Sequence, residues 1–239
     1  MSDAIDIIMV TYNRLELTKK SINSILERTK IPYRLIVVDN LSTDGVRNFL
    51  LELWKKGKIQ EIILNNDNIG LEKALNLGLN KVESEYFVST DNDIIASEGW
   101  LSRLKDLIEK NPDYGAIGCR PQVLVGVGNI FKTDKEVAES ICGSHLRIFR
   151  TEVIKKIGGW TDRFDNDGRG NEEHDICGKL KREGYKTGYA KDIWCYHQFE
   201  NEHWGYKDEG YRMGRMLEKA PQDVEYNPIT CEPKIKSNE

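Results

Sequence analysis

The chain has 239 residues, 39% of them hydrophobic, enough to bury the core of one large α/β domain or two small ones. A net charge of −4 argues against DNA or another polyanion as the main partner, and a small anionic ligand would need a bound metal to neutralise it. No apolar stretch is long enough to span a bilayer, and Asp3 and Asp6 stand where a signal peptide carries basic residues. The five cysteines (119, 142, 177, 195 and 231) include no C-x-x-C pair, so they read as reduced thiols of a cytoplasmic protein.

In chain order, residues 5–10 read as a strand, and helical spacing of Leu15, Thr18, Ile22, Ile25 and Leu26 predicts a helix over 15–27. Residues 34–38 form a second strand, closed by a loop of turn and capping residues from Asp39 to Gly45. A helix through Trp54, a strand at 61–64, a helix over 71–82 and a strand at 86–89 follow. Strand–helix repeats of this length predict a Rossmann-like, mostly parallel sheet flanked by helices. Its ligands bind beyond the carboxyl ends of the strands, where loops 11–14, 39–44, 65–70 and 91–93 gather.

The second half is less regular. A connection over 126–133, a strand at 145–149, a short helix at 151–157, a Gly-Gly-Trp break and a polar loop at 165–171 lead to a helix over 172–183. Residues 187–197 read as extended, and the prolines after Ala220 predict a loose tail over 221–239. The expected organisation is one domain over 1–220, with a ligand-binding half of strand–helix repeats (1–95) and a less regular half (96–220).

Asp91 and Asp93 lie two positions apart at the end of a strand, on one side if the extended backbone persists. Two such carboxylates repel unless a cation sits between them. Hard cations such as Mg²⁺ or Mn²⁺ take carboxylate oxygens, with a nucleotide diphosphate as natural co-ligand. The alternative is a solvated turn.

In the helix starting EEHDICGKL, Glu173 lies three residues before Ile176 and shares its apolar face, which is costly for a carboxylate unless it faces a cavity. Its alternative is complementing the helix dipole, as Glu172 does. Most of the large aromatics in the second half read as core or rim packing, and Trp160, after two glycines, is the one assigned to stack on an acceptor sugar.

Ordered along the chain, VTYNR (10–14), VVDN-S-DG (37–45), N-x-G-x-x-x-A-x-N-x-G (68–78), Asp-Asn-Asp (91–93), IGGW (157–160) and EEHDICGKLKREGY (172–185) together resemble the inverting family 2 glycosyltransferases of the GT-A fold. The resemblance covers about residues 5–200. It implies that Thr11, Tyr12, Asn13, Arg14 and Asp39 hold the nucleotide base and ribose, with capping of the loop as the other reading of Asp39. It places Asn68, Gly70 and Asn76 beside the nucleotide, with a polar helix cap as the other reading of Asn68. Leu75 replaces the basic residue that members often carry before the last asparagine. It implies Glu173 as general base, with Asp175 behind it; glutamate departs from the family's aspartate. His197 would join Asp91 and Asp93 as a metal ligand, or else belong to an aromatic cluster.

The implied function is a metal-dependent inverting transfer of sugar from a UDP, GDP or dTDP donor to a hydroxyl of a glycan, lipid-linked or protein acceptor. Mn²⁺ or Mg²⁺ is the cofactor. Nucleic acid and transmembrane segments play no part, and peripheral membrane contact stays open. The rivals are a nucleotidyltransferase, which would want a Gly-rich basic loop after the first strand, and a catalytically silent nucleotide-sugar or glycan binder.

Overall fold

The computed structural model describes residues 4–121, 133–143, 145–161, 172–198 and 227–231. Strand β1 (Ile5–Thr11) is buried along its whole length, and its side chains alternate between two apolar layers. Ile5, Ile7 and Met9 enter one layer, with Ile22 and Ile25 of α1 (Leu15–Arg28), while Ile8 and Val10 enter the other. β2 (Tyr33–Asp39) repeats the pattern, Leu35 and Val37 facing one way, Ile36 and Val38 the other. Strands apolar on both faces require helices on both sides. On the first layer α1 is joined by α2 (Val46–Lys55) and, after β3 (Glu61–Leu64), α3 (Leu71–Leu79), β4 (Tyr86–Asp91) and β5 (Ile94–Ala96), by α4 (Trp100–Lys110). The second layer holds α3 together with two later helices. β6 (Tyr114–Pro121), β7 (Val137–Glu139) and β8 (Arg147–Arg150) precede these helices, α5 (Thr151–Lys156) and α6 (Glu172–Arg182), and β9 (Lys186–His197) closes the order.

The sheet runs β3-β2-β1-β4-β8-β6-β9-β5, with β7 also paired to β9. β1 to β4 are mutually parallel where they pair. β8 enters antiparallel between β4 and β6, β9 is again parallel to β6, and β5 and β7 run antiparallel to β9. The parallel sheet flanked by helices and the less regular second half are therefore both present. Thr11 lies opposite Asp39, Asp39 opposite Leu64 and Val10 opposite Asp91, so the four strand ends are level and their loops share one rim.

Two expectations change. The extended backbone does not persist through Asp91 and Asp93: β4 ends at Asp91, and Asn92-Asp93 turn into β5. The Asn92 amide causes this by donating to the Asn13 carbonyl (3.1 Å) and to Thr18 Oγ1 (2.9 Å), drawing the turn under α1. The tail is also not loose throughout. Ile229 accepts a hydrogen bond from the Glu98 N–H (3.0 Å), and Cys231 is buried against Arg28 and the Ile95 carbonyl. All five cysteines are buried free thiols. Among the described residues no helix is long and apolar enough to cross a membrane. The 165–171 loop and nearly all of the 126–133 connection lie outside the described residues.

Candidate functional site

The first rim loop is held in an uncommon backbone. Asn13 (φ 55°) and Arg14 (φ 64°) are both left-handed, a conformation that costs a non-glycine residue about 1–3 kcal/mol. Neighbouring loops compensate. The Asn13 N–H donates to Ser42 Oγ (2.8 Å), and its Oδ1 accepts from the Thr43 N–H (2.8 Å). Arg14 caps α1 without a side-chain bond, and Asp44 of the second loop accepts from the Leu15 N–H instead (2.8 Å). Tyr12, at the tip, is exposed.

Asp39 ends β2 fully buried. Its Oδ1 accepts from Thr11 Oγ1 (3.1 Å), and its Oδ2 from the Ser42 N–H (3.0 Å) and Arg47 Nε (2.7 Å). Arg47 also donates to the Asn65 carbonyl, tying the second loop to the third. Asn40 completes that joint: its Nδ2 donates to Asn68 Oδ1 (2.8 Å) and the Gly70 carbonyl (3.1 Å), and its Oδ1 accepts from Asn65 Nδ2 and the Ile69 N–H. Thr11, Asp39 and Asn68 thus act as the frame of the rim. Gly70 enters α3 at φ 86°, a backbone that suits glycine.

Asn76 bonds to the backbone at Trp160 through both ends of its amide. Its Nδ2 donates to the Trp160 carbonyl (2.8 Å) and its Oδ1 accepts from the Trp160 N–H (3.0 Å), so both ends of the amide clamp the Gly-Gly-Trp turn. Gly159 stands at φ 64°, and a Cβ there would overlap Asn76 Oδ1. Gly159→Ala should therefore cost about 1–3 kcal/mol of stability, read by thermal denaturation. An unchanged Tm would show that this clamp yields freely.

Trp160 itself is only 2% exposed. Phe87 and Phe149 pack edge-on against it, at ring separations of 6.3 and 5.8 Å, and its indole N–H donates to Glu172 Oε2 (3.0 Å). The expected acceptor platform is a core residue, because the whole side chain is buried.

The three carboxylates that open α6 separate by environment. The buried stripe runs Glu172, Ile176, Leu180, at i,i+4 spacing, so Glu172 and not Glu173 is the core-facing carboxylate. Glu172 Oε2 pairs with Arg147 Nη2 at 3.0 Å, and Arg147 is fully buried, donating also to the Cys142 carbonyl (2.7 Å). Asp175 accepts from the Thr161 N–H (2.8 Å) and pairs with Lys179 (3.3 Å). Burial opposes its charge, but these partners hold its carboxyl below the usual range, which suits an anchor for the chain leaving Trp160 better than a base. Glu173 is half-buried and faces Gly143. A Cβ on Gly143 would lie 2.9 Å from His145 Nδ1, 3.0 Å from the Tyr189 hydroxyl and 3.1 Å from Glu173 Oε1, so three polar atoms converge there. His145 Nδ1 is buried without a hydrogen-bond partner, and burial, with His197 beside it, pushes its imidazole down to about 3.

Asp93 and His197 come from distant parts of the chain. The Gln198 N–H donates to the Asp93 carbonyl (2.9 Å), and Ile94 pairs with His197 across β5 and β9. His197 Nε2 stands 3.4 Å and Arg14 Nη1 2.8 Å from Asp93 Oδ2, while the buried Oδ1 has no hydrogen-bond partner. Burial opposes both charges, yet each sustains the other: His197 and then Arg14 hold the Asp93 carboxyl below its usual range. Asp93 first, then Asp91, raise His197 above its own. Two carboxylates and an imidazole, with one carboxylate oxygen unpartnered, are a donor set that fits a divalent cation such as Mn²⁺. Among the described residues no three such side chains already stand in coordinating positions. The His145 ring lies 5.3 Å from that of His197, joining this group to the Gly143 cluster.

Residues 6–168 match the profile of the family described as glycosyl transferase family 2. The chain belongs to that family. Among the relatives of this family 2 domain, an uncharacterized glycosyltransferase of Haemophilus influenzae is 31% identical over 214 residues, 83% of this chain and 66% of its own length. The poly(ribitol-phosphate) beta-N-acetylglucosaminyltransferase TarP of Staphylococcus aureus is 29% identical over 165 residues, 64% of this chain and 50% of its own. Of solved structures, the mannosyltransferase PcManGT from Pyrobaculum calidifontis, in complex with GDP-Man and Mn²⁺, superposes with a TM-score of 0.70 at 22% identity, covering 95% of this chain and 66% of that one. S. aureus TarS residues 1–349 with UDP-GlcNAc gives 0.65 at 19% identity, covering 84% and 60%. These structures show the GT-A fold, and the chain spans about two thirds or less of each of the four proteins.

Arg47, Arg147, Glu172, His145 and Tyr189 were not singled out from sequence. An arginine opening the buried β8 strand was the one visible signal, since a charge there needs a buried partner.

Proposed function

We propose that this family 2 domain transfers a sugar, with inversion, from a nucleoside-diphosphate sugar to an acceptor hydroxyl. The observation that carries the proposal is the gathering of Arg14, Asp93 and His197, from three distant parts of the chain, on the rim where the four parallel strands end. Exposed Tyr12 offers a ring for the base of a UDP, GDP or dTDP donor, over a frame built by Thr11, Asn13, Asp39 and Asn68. Gly70 lets the start of α3 approach the nucleotide closely. Asp91, Asp93 and His197 are the residues that would hold Mn²⁺ or Mg²⁺. When bound, that cation would neutralise the leaving diphosphate. The GDP-Man and Mn²⁺ with PcManGT and the UDP-GlcNAc with TarS support this reading.

Glu173 would take the proton of the attacking hydroxyl. What supports this role is that Glu173 Oε1 faces the point beside Gly143 on which His145 Nδ1 and the Tyr189 hydroxyl also converge. A single displacement with one base inverts the anomeric centre. A glycan, a lipid-linked sugar or a protein hydroxyl would serve as acceptor.

A thermal-shift panel of UDP-, GDP- and dTDP-sugars, with and without Mn²⁺, tests the donor class. A ligand at 100 times its Kd stabilises by about 2.7 kcal/mol, so a matching donor should raise Tm by several degrees only with the metal present. Asp93→Asn keeps the side-chain shape, removes the charge and should abolish that metal-dependent shift. If no donor shifts the wild-type protein, or Asp93→Asn responds like wild type, the reading is wrong.

A further inference from the structure

Arg14 and a divalent cation have reason to compete for one carboxylate. Arg14 Nη1 holds Asp93 Oδ2 at 2.8 Å, and the whole Asp93 carboxylate is buried, with His197 3.4 Å from the same oxygen. A guanidinium does not shed its proton, so it cannot relieve repulsion by a second cation on that carboxylate; it must move. The Arg14 backbone is fixed: its carbonyl accepts from the Thr18 N–H (2.9 Å), and the preceding Asn13 is bound to the second loop. Movement therefore falls to the side chain, which is 23% exposed and has a solvent side to swing into. Its root lies on the rim beside Tyr12.

We infer that Arg14 guards Asp93 against divalent cations and, once displaced, pairs its guanidinium with the diphosphate of the bound nucleotide. The inference rests on the proposed donor class. It makes Arg14 a residue with two opposed effects: it weakens the cation on the protein alone and strengthens the nucleotide when the cation is present. A guanidinium fork suits phosphate oxygens, so the interaction lost at Asp93 is recovered on the ligand. Metal and nucleotide binding become coupled, each raising the other's affinity.

Electron paramagnetic resonance titration of Mn²⁺ into the nucleotide-free protein reads the first effect; calorimetry of UDP and GDP at saturating Mn²⁺ reads the second. Arg14→Gln should bind Mn²⁺ about tenfold more tightly and the preferred nucleoside diphosphate about tenfold more weakly than wild type. Arg14→Lys, which keeps the charge, should stay within about threefold of wild type for Mn²⁺, separating charge competition from a fault in folding. Unchanged or weaker Mn²⁺ binding by Arg14→Gln, or undiminished nucleotide affinity, overturns the inference while leaving the donor class intact. A wild-type protein that binds neither Mn²⁺ nor either nucleotide overturns both.

Discussion

Glu172→Ala should lower the free energy of unfolding by about 3–5 kcal/mol in urea denaturation, the largest stability loss expected of any single change at this site. Glu172 Oε2 accepts from both Arg147 Nη2 and Trp160 Nε1, at 3.0 Å each. Removing the carboxylate leaves a fully buried guanidinium without its counter-charge and an indole N–H without its acceptor. Arg147 has lesser supports in the Cys142 carbonyl and the Phe149 ring 4.8 Å away, neither of which carries a negative charge, and Glu173 is a weaker electrostatic partner than Glu172. Glu172→Gln keeps an acceptor and should cost less, about 1–3 kcal/mol. Pairing Glu172→Leu with Arg147→Met should recover much of the loss, since buried ion pairs are often replaceable by apolar groups. A loss below about 1 kcal/mol for Glu172→Ala would mean that water reaches this pair.

That ion pair also marks the limit of what the residues disclosed. The first half was legible because it rests on periodicity. Ile5, Ile7 and Met9 against Ile8 and Val10 declare a strand buried on both faces, and the polar breaks at 11–14, 39–45 and 65–70 declare its loops. α4 had the same legibility and went unread: Trp100, Leu101, Leu104, Leu107 and Ile108 form one buried stripe. The α6 carboxylates were harder. Positions three and four before Ile176 both lie near its face, so spacing alone could not tell Glu173 from Glu172. Arg147, 25 residues earlier on another strand, decides it.

Trp160 shows the opposite failure. Two glycines before an aromatic read as a break that presents the ring to an acceptor, but Gly158 and Gly159 serve a left-handed turn that Asn76 clamps from 84 residues away. The turn directs the ring inward, to Phe87 and Phe149. Asp93 was legible in type, and of its partners only His197 was expected, through the family resemblance and not through local spacing. A strand-end carboxylate signals a cation, and no local pattern says that Arg14 and His197 stand beside it.

Glu173→Gln should reduce transfer by about 10²-fold or more, while the affinity for nucleoside diphosphate with Mn²⁺ stays within about twofold of wild type. The substitution preserves length and shape and removes the ability to take a proton. The loss corresponds to about 2.7 kcal/mol or more of transition-state stabilisation. It should appear in kcat, because in the proposed reaction the carboxylate would act on the attacking hydroxyl and not on the donor. Release of UDP or GDP from the donor sugar reads it, with an acceptor or with water as the attacking group. Asp175→Asn is the control that separates chemistry from structure. It weakens the pairing with Lys179 while an amide oxygen still accepts from the Thr161 N–H, so its effect should fall on stability more than on kcat. Two further changes place the base. Tyr189→Phe removes the hydroxyl that accepts from the Gly143 N–H at 2.7 Å, and His145→Ala removes the Nδ1 facing the same point as Glu173 Oε1. Both should reduce kcat less than Glu173→Gln, because they support the geometry of the cluster and carry no negative charge. If Glu173→Gln turns over like wild type while Asp175→Asn loses 10²-fold with its fold intact, the base is Asp175 and the Thr161 contact must open during the reaction.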